Sequence, residues 1–188
     1  FSVLILFLLF PKPVSAASVD LSALMPPVGS QGGNSSCAAW ATGYYLKSFQ
    51  ENREHGWDPK DNAHKFSPMF VYNLRNGGAD QGISFSAAFG VLTLKGSAPL
   101  NVFPLLTGDY WTWPNIAQCV AAMPHRAESA GSYGGISWDA IGKIKERLLA
   151  GDAVVIGPNI FTDFYPTAPD YLYINHSPTA TVRGAHAL

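Results

Sequence analysis

The chain has 188 residues, which is enough for one domain of ordinary size and too few for two. Charged side chains make up only 13% of the sequence and apolar side chains 47%, which argues against an intrinsically disordered chain. The net charge of −1 argues against nucleic-acid binding, which needs a basic surface to neutralise phosphates. With two cysteines, the chain cannot build a disulfide framework or a four-cysteine zinc site.

The first 17 residues are typical of a secretory signal peptide that lacks its charged beginning. Residues 1–10 are almost wholly apolar, and Pro11 and Pro13 end this run before the small residues at 15–17. A membrane-spanning helix needs about 20 apolar residues, so a membrane anchor is the weaker alternative and a buried core helix the weakest. We expect cleavage after Ala16 or Ala17 to release a secreted or periplasmic protein without membrane association.

The remaining residues, 18–188, are predicted to form one domain that begins with helices. An extended strap over residues 20–33 leads into a helix that starts near Cys37, with Ser35 or Ser36 as its cap, and stops at Gly56. Shorter helices are expected over residues 67–75, opened by Ser67 and Pro68, and over residues 86–94.

The second half of the domain is predicted to contain a helix and a late strand. Residues 97–135 are rich in proline, glycine and aromatic residues and predict no regular element. Residues 137–150 give the clearest helix, with Ser137 as the cap, Ile136 and Ile141 as a hydrophobic staple, and Gly151 as a left-handed terminator. Residues 153–156 are predicted to form a buried strand. Helices early and strands late indicate an α+β fold.

The chemistry-bearing stretch lies between the strap and the first long helix. Cys37 opens that helix, where the positive end of the helix dipole favours a thiolate, the reactive form of a nucleophilic cysteine. The glycines at 32 and 33 allow backbone to approach a substrate closely. Gln31, six residues before Cys37, can donate an amide N–H to a developing oxyanion. A nucleophile also needs a base, which we expect to be a histidine far along the chain.

These residues resemble the papain-like (C1) cysteine peptidase family. That family has a Gln-Gly pair, a short spacer and a Ser-Cys pair on the strap into its central helix, as residues 31–37 have here. Residues 77–82 resemble its glycine-rich segment beside the substrate cleft, and residues 103–104 resemble its aromatic-proline mark. Residues 184–187 resemble its histidine strand, and His186 lies 149 residues after Cys37, within the roughly 130–150 expected for this pair.

The resemblance implies a two-subdomain papain-like fold, with a helical left half, a β-barrel-like right half and a cleft between them. It implies a secreted, monomeric cysteine peptidase that acts on proteins or peptides, with Cys37 as nucleophile, His186 as base and Gln31 in the oxyanion hole. Gly82, Ile83 and Ser84 correspond to the wall of the S2 pocket and would suit an apolar P2 side chain. The competing interpretation of these three residues is an ordinary loop that leads into a helix.

The sequence also departs from the family pattern. Asn34 replaces the cysteine three residues before the nucleophile, and Ala79 replaces its disulfide partner, so neither loss leaves an unpaired thiol. Ala38 replaces the aromatic residue that usually follows the nucleophile, which suggests a divergent member of bacterial type. The Asn or Asp that orients the histidine in the family is expected beyond Leu188, so the last strands would be missing. No inhibitory prodomain fits between the predicted cleavage site and the domain.

Several alternatives remain at this point. A Cys37–Cys119 disulfide competes with the nucleophile, although Cys119 is more typical of a small buried hydrophobic residue. His176 is the rival base, while His55, His64 and His125 lie among polar or proline-flanked loops. No HExxH or paired-cysteine spacing is present, so no metal or other cofactor is predicted. The alternatives in function are an inactive homologue that binds peptides or a partner, and a transglutaminase-like acyl transferase, which the spacing of Gln31 disfavours.

Overall fold

A computed structural model describes residues 18–105, 108–135, 137–164 and 177–188 of the chain. The helices are α1 (Cys37–Ala39), α2 (Ser48–His55), α3 (Pro68–Asn73), α4 (Phe85–Leu94), α5 (Ile116–Ala122) and α6 (Trp138–Leu149); the strands are β1 (Asn159–Phe161) and β2 (Val182–Ala185). Short 3-10 helices cover Ser22–Leu24 and Met123–His125. None of the helices in the described ranges has the length and apolar character needed to cross a membrane. The predicted signal peptide lies outside those ranges.

The predicted helix from Cys37 to Gly56 is present as one continuous central helix. It begins as α1, continues as a π-helical segment over Trp40–Lys47 and ends as α2. Gly56 closes it in the left-handed conformation at φ +66°, as expected for a C-terminal glycine. The predicted serine cap is wrong: Ser36 occupies the capping position, but its buried hydroxyl accepts no hydrogen bond from the first turn.

The core forms where α3 and α4 pack against the central helix. A Cβ atom at Gly43 would lie only 3.0 Å from Val71 Cγ2, so the glycine permits the close approach of α3. Phe70, Val71 and Tyr72 on α3 are fully buried. Phe103, from the predicted aromatic-proline mark, is also buried and meets Phe70 edge to face at 5.9 Å between ring centroids.

The predicted helices after the central helix agree with the structure. Ser67 caps α3 by accepting the Phe70 N–H, and α4 begins one residue before the predicted start. Ser137 caps α6 by accepting the Ala140 N–H, and Gly151 follows that helix at φ +81°. The staple that the sequence predicts for α6 involves Ile136, which lies outside the described residues.

Two predictions in the second half are wrong. The segment expected to be irregular contains α5, which Asn115 and Gln118 open with a reciprocal capping box. Residues 153–156 are extended but form no strand of a sheet, and Ile156 is 48% exposed. At the end of this segment, Ile156 and Leu188 exchange two backbone hydrogen bonds of 2.9 and 3.0 Å.

The described strands form one antiparallel pair. Asn159 on β1 is paired with Ala185 on β2, and a bulge follows Ile160. The helices and this late pair fit the predicted α+β class. The described residues do not establish the β-barrel-like right half that the resemblance implies.

Candidate active site

Cys37 is the first residue of the central helix, as the sequence predicts, and so lies at the positive end of the helix dipole. Its side chain is half-buried and its thiol is free. Cys119 is also free, so the alternative Cys37–Cys119 disulfide is not formed. It is half-buried and packs against the main core, which agrees in part with the prediction of a buried residue. Cys37 is therefore a free, half-buried residue at the positive end of a long helix.

Gln31 lies on the strap that leads to Cys37. Its side-chain nitrogen Nε2 donates a hydrogen bond of 2.9 Å to the carbonyl oxygen of Asn34, and the side chain is half-buried. A primary amide has two N–H donors, so this bond orients the group and leaves its second N–H for another acceptor. The oxyanion role that the sequence assigns to Gln31 stays a prediction.

His186 follows the last residue of β2. Its backbone N–H donates to the carbonyl oxygen of Pro158 at 3.0 Å, and its half-buried side chain lines an open pocket of about 350 Å³ beside Ile160 and Phe164. No hydrogen bond joins its ring to the Cys37 sulfur in the described part of the chain. The rival base, His176, lies outside the described residues.

A small apolar cluster brings the two ends of the predicted site together. Ala187, the residue after His186, is buried against Ala38 and Ala41 of the central helix, and Cys37 and Ile83 pack against the same cluster. The cluster therefore joins the chain segment of the candidate base, the helix of the candidate nucleophile and the segment of the candidate pocket.

The three residues of the candidate S2 wall have different structural roles. Gly82 adopts φ +84°, a conformation that other residues rarely take. Ile83 is half-buried and packs against the apolar cluster of Cys37 and against the main core. Ser84 caps α4 by accepting the Ala87 N–H at 3.1 Å. Ser84 therefore has a local structural role, as the loop interpretation predicts, while Gly82 and Ile83 lie between the candidate site and the core.

Two side chains that the sequence analysis did not assign to the site join its segments. The Asp80 carboxylate atom Oδ1 accepts the Ser35 backbone N–H at 2.7 Å and the Tyr72 hydroxyl at 2.5 Å. The Tyr72 oxygen in turn accepts the Gly82 N–H at 3.2 Å. A buried tyrosine usually needs a hydrogen-bond partner for its hydroxyl, so Tyr72 could have been recognised from its position in the inward-facing helix, but its partners could not.

The environment of Tyr72 keeps its hydroxyl protonated. Burial and the hydrogen bond to Asp80 raise the pKa of Tyr72 to about 12, with smaller contributions from the negative charges of Asp80 and Cys37. The Gly82 N–H opposes this shift. Tyr72 is therefore a hydrogen-bond donor to Asp80 across the whole physiological pH range.

The other described histidines form a separate group at the far end of the central helix. The Trp57 ring is stacked between His55, at 4.3 Å, and His64, at 4.6 Å, and His125 meets it edge-on at 6.3 Å between centroids. The sequence places these three histidines among polar or proline-flanked loops. The structure instead gathers them around one tryptophan.

The arrangement can be compared with known proteins. Xylellain, a cysteine protease from Xylella fastidiosa, has a structure that matches this one with a TM-score of 0.68, over 90% of this chain and 66% of the xylellain chain. The sequences are 22% identical. The fold is that of a papain-like cysteine protease. No protein-family model and no curated protein matches the sequence.

The likeness to xylellain concerns the fold. A fold by itself does not determine an activity, which depends on the residues of the site. The chain spans 66% of the length of the xylellain chain that it matches. The assignment of function therefore rests on the geometry around Cys37, Gln31 and His186.

Proposed function

We propose that this protein is a secreted cysteine peptidase that hydrolyses peptide bonds in proteins or peptides. The observation that carries the proposal is Cys37, a free and half-buried cysteine at the first residue of the central helix of a papain-like fold. The shared apolar cluster of Ala187, Ala38 and Ala41 supports His186 as its base, because it joins their two segments. The export of the protein rests on the signal peptide predicted from residues 1–17.

The proposed reaction proceeds in two steps at Cys37. His186 takes the proton of the Cys37 thiol. The resulting thiolate attacks the carbonyl carbon of the peptide bond, a C–S bond forms, and the carbonyl electron pair moves to oxygen, where Gln31 and the Cys37 backbone N–H donate hydrogen bonds. The intermediate then expels the amine, which takes a proton from His186. Water hydrolyses the thioester in the second step, with His186 as base, and regenerates the thiol.

The proposed substrate pocket includes Gly82, Ile83 and Ser84. The half-buried, apolar side chain of Ile83 supports a preference for an apolar residue at P2, and the left-handed Gly82 adds no side chain that would fill the space. We expect the enzyme to act as a monomer and to need no metal or cofactor, since the nucleophile, base and oxyanion donor are all side-chain or backbone groups of one chain.

The proposal is tested by comparing the two cysteines. In the full-length protein, Cys37→Ala should abolish hydrolysis of fluorogenic peptides and covalent labelling by an epoxide inhibitor, because the nucleophile is lost. Cys119→Ala is the matched control and should retain both within a few-fold, since its thiol packs against the core away from the reaction. Equal losses in the two variants would overturn the proposal. Binding of peptides without any turnover in the wild type would favour the inactive homologue.

A further inference from the structure

Two segments that are distant in the sequence meet directly beside Cys37. One is the end of the strap, represented by Ser35, and the other is the glycine-rich segment that contains Asp80 and Gly82. They are joined by the Asp80 carboxylate, whose Oδ1 accepts the Ser35 N–H at 2.7 Å, and by a weaker contact of 3.5 Å from the Ser35 hydroxyl to the Asp80 carbonyl oxygen.

Tyr72 anchors this junction to the core. Tyr72 is completely buried. Its hydroxyl donates a hydrogen bond to Asp80 Oδ1 and accepts one from the Gly82 N–H at 3.2 Å. The hydrogen bonds therefore run without interruption from Gly82 through Tyr72 and Asp80 to Ser35. Because α3 packs on the central helix, Tyr72 connects the segment of Asp80 and Gly82 to the helix that begins with Cys37.

We propose that Asp80 and Tyr72 are positioning residues, which hold the strap before Cys37 and the segment at Gly82 in the geometry that peptide hydrolysis needs. This inference rests on the proposed peptidase function and assigns two residues to it. Ser35 lies two residues before the nucleophile, so a shift of the strap displaces both Cys37 and the Gln31 amide. Displacements of about 1 Å can cost a hundredfold in rate.

The geometry also separates the contributions of charge and of hydrogen bonding. Both strong contacts end on one oxygen, Oδ1, so an asparagine at position 80 can accept both bonds through its amide oxygen. Phenylalanine at position 72 removes the bonds to Asp80 and Gly82 but leaves the bond from Ser35 to Asp80. Substitution of Asp80 is therefore expected to displace Cys37, whereas substitution of Tyr72 is expected to displace mainly the segment at Gly82.

The test compares Asp80→Ala, Asp80→Asn and Tyr72→Phe in the full chain. We expect Asp80→Ala to lower kcat/KM for peptides at least tenfold, chiefly through kcat, and Asp80→Asn to remain within about threefold of the wild type. Tyr72→Phe should raise KM about three- to tenfold with kcat nearly unchanged. Asp58→Ala is the matched control, because its carboxylate also accepts a backbone N–H, from Lys60 at 2.9 Å, in an exposed turn.

A second readout does not depend on peptide hydrolysis. The rate of Cys37 alkylation by iodoacetamide, followed by mass spectrometry of the Cys37 peptide, should change at least threefold in Asp80→Ala and return to the wild-type rate in Asp80→Asn. A wild type that alkylates at Cys37 but cleaves no peptide would sink the proposed function, and the alkylation rates would still decide the positioning role. If Asp80→Ala fails to fold, the positioning role is decided by the other two variants: Asp80→Asn should behave like the wild type, and Tyr72→Phe should raise KM. Equal defects in the alanine and asparagine variants, or none in either, would overturn the inference.

Discussion

At the scale of single residues, the start of the central helix at Cys37 was predictable and the hydrogen bonds around it were not. A cysteine at a helix start, six residues after a glutamine, is a local pattern, so Cys37 and Gln31 can be chosen as candidates from neighbouring residues alone. Asp80 is hydrogen-bonded to Ser35, 45 residues away in the sequence, and local sequence carries no information about such a partner.

His186 is the residue whose role is most directly tested by substitution. We expect His186→Ala to lower kcat about a thousandfold, since general acid–base groups contribute roughly a hundred- to ten-thousandfold. The fold should be retained, because the hydrogen bond from His186 to Pro158 is made by the backbone. The measurement is steady-state kinetics on a fluorogenic peptide, with a far-ultraviolet spectrum to check folding. His176→Ala is the control and should change kcat by less than threefold. If His176→Ala instead causes the large loss of kcat, His176 is the base.

At the scale of elements, helices with local caps were predicted and structure made by distant contacts was not. The segment Trp138–Leu149 has its cap, its apolar stripe and its terminating glycine within 15 residues, and it was predicted almost to the residue. Asn115 and Gln118 have the spacing of the capping box that opens α5. The surrounding prolines and aromatic residues favour irregular structure, so the helix was not predicted. Residues 153–156 have strand-like composition, yet most of the segment has no neighbouring strand in the described ranges.

Gly96 tests how closely two elements are packed. It follows α4 at φ +82°, and a Cβ atom there would lie 1.9 Å from the carbonyl oxygen of Ala122 at the end of α5. Gly96→Ala therefore combines a left-handed backbone, about 1–2 kcal/mol, with overpacking, about 1–3 kcal/mol. We expect urea titration to show that the substitution lowers the free energy of unfolding by about 2–5 kcal/mol.

Gly56 provides the control for this substitution. It has a similar φ of +66°, but a Cβ atom there would meet nothing within 4 Å. Gly56→Ala should therefore cost only the backbone term, about 1–2 kcal/mol. Equal losses in the two variants would mean that α4 and α5 are not packed as closely as the structure indicates.

At the scale of the whole molecule, the central helix separates the candidate chemistry from a buried charged group. Cys37 opens the helix, and Glu51 lies roughly 20 Å further along it. The Glu51 carboxylate is almost fully buried and contacts Lys47 Nζ at 2.5 Å through Oε1 and His125 Nδ1 at 3.0 Å through Oε2. His55 lies 3.5 Å from the same Oε2. This network ties the helix to the segment after α5, at a distance from the reaction.

The pH dependence of stability follows from the state of Glu51. Burial favours a higher pKa, but hydrogen bonds from His125 and Lys47, together with their charges, outweigh it and hold the pKa of Glu51 below its ordinary value. The folded carboxylate is then harder to protonate than the unfolded one, so its contribution is complete above about pH 4.3, the ordinary value. That contribution is lost as the pH falls through the folded pKa.

Glu51→Gln tests this account. At pH 7 the substitution leaves the buried Lys47 without its carboxylate, and we expect a loss of about 3–5 kcal/mol in the free energy of unfolding, measured by urea titration. Below about pH 4.3 the wild type loses the same contribution, so the gap between the two proteins should narrow. Asp139→Asn is the control, because its pair with Lys143 is exposed and should contribute less than about 1 kcal/mol at any pH. A difference in the free energy of unfolding between wild type and Glu51→Gln that stays constant from pH 7 to pH 3 would show that the carboxylate does not stabilise the fold through its charge. If that difference narrows and the alkylation rate of Cys37 at pH 7 is unchanged, the network stabilises the molecule without taking part in the chemistry.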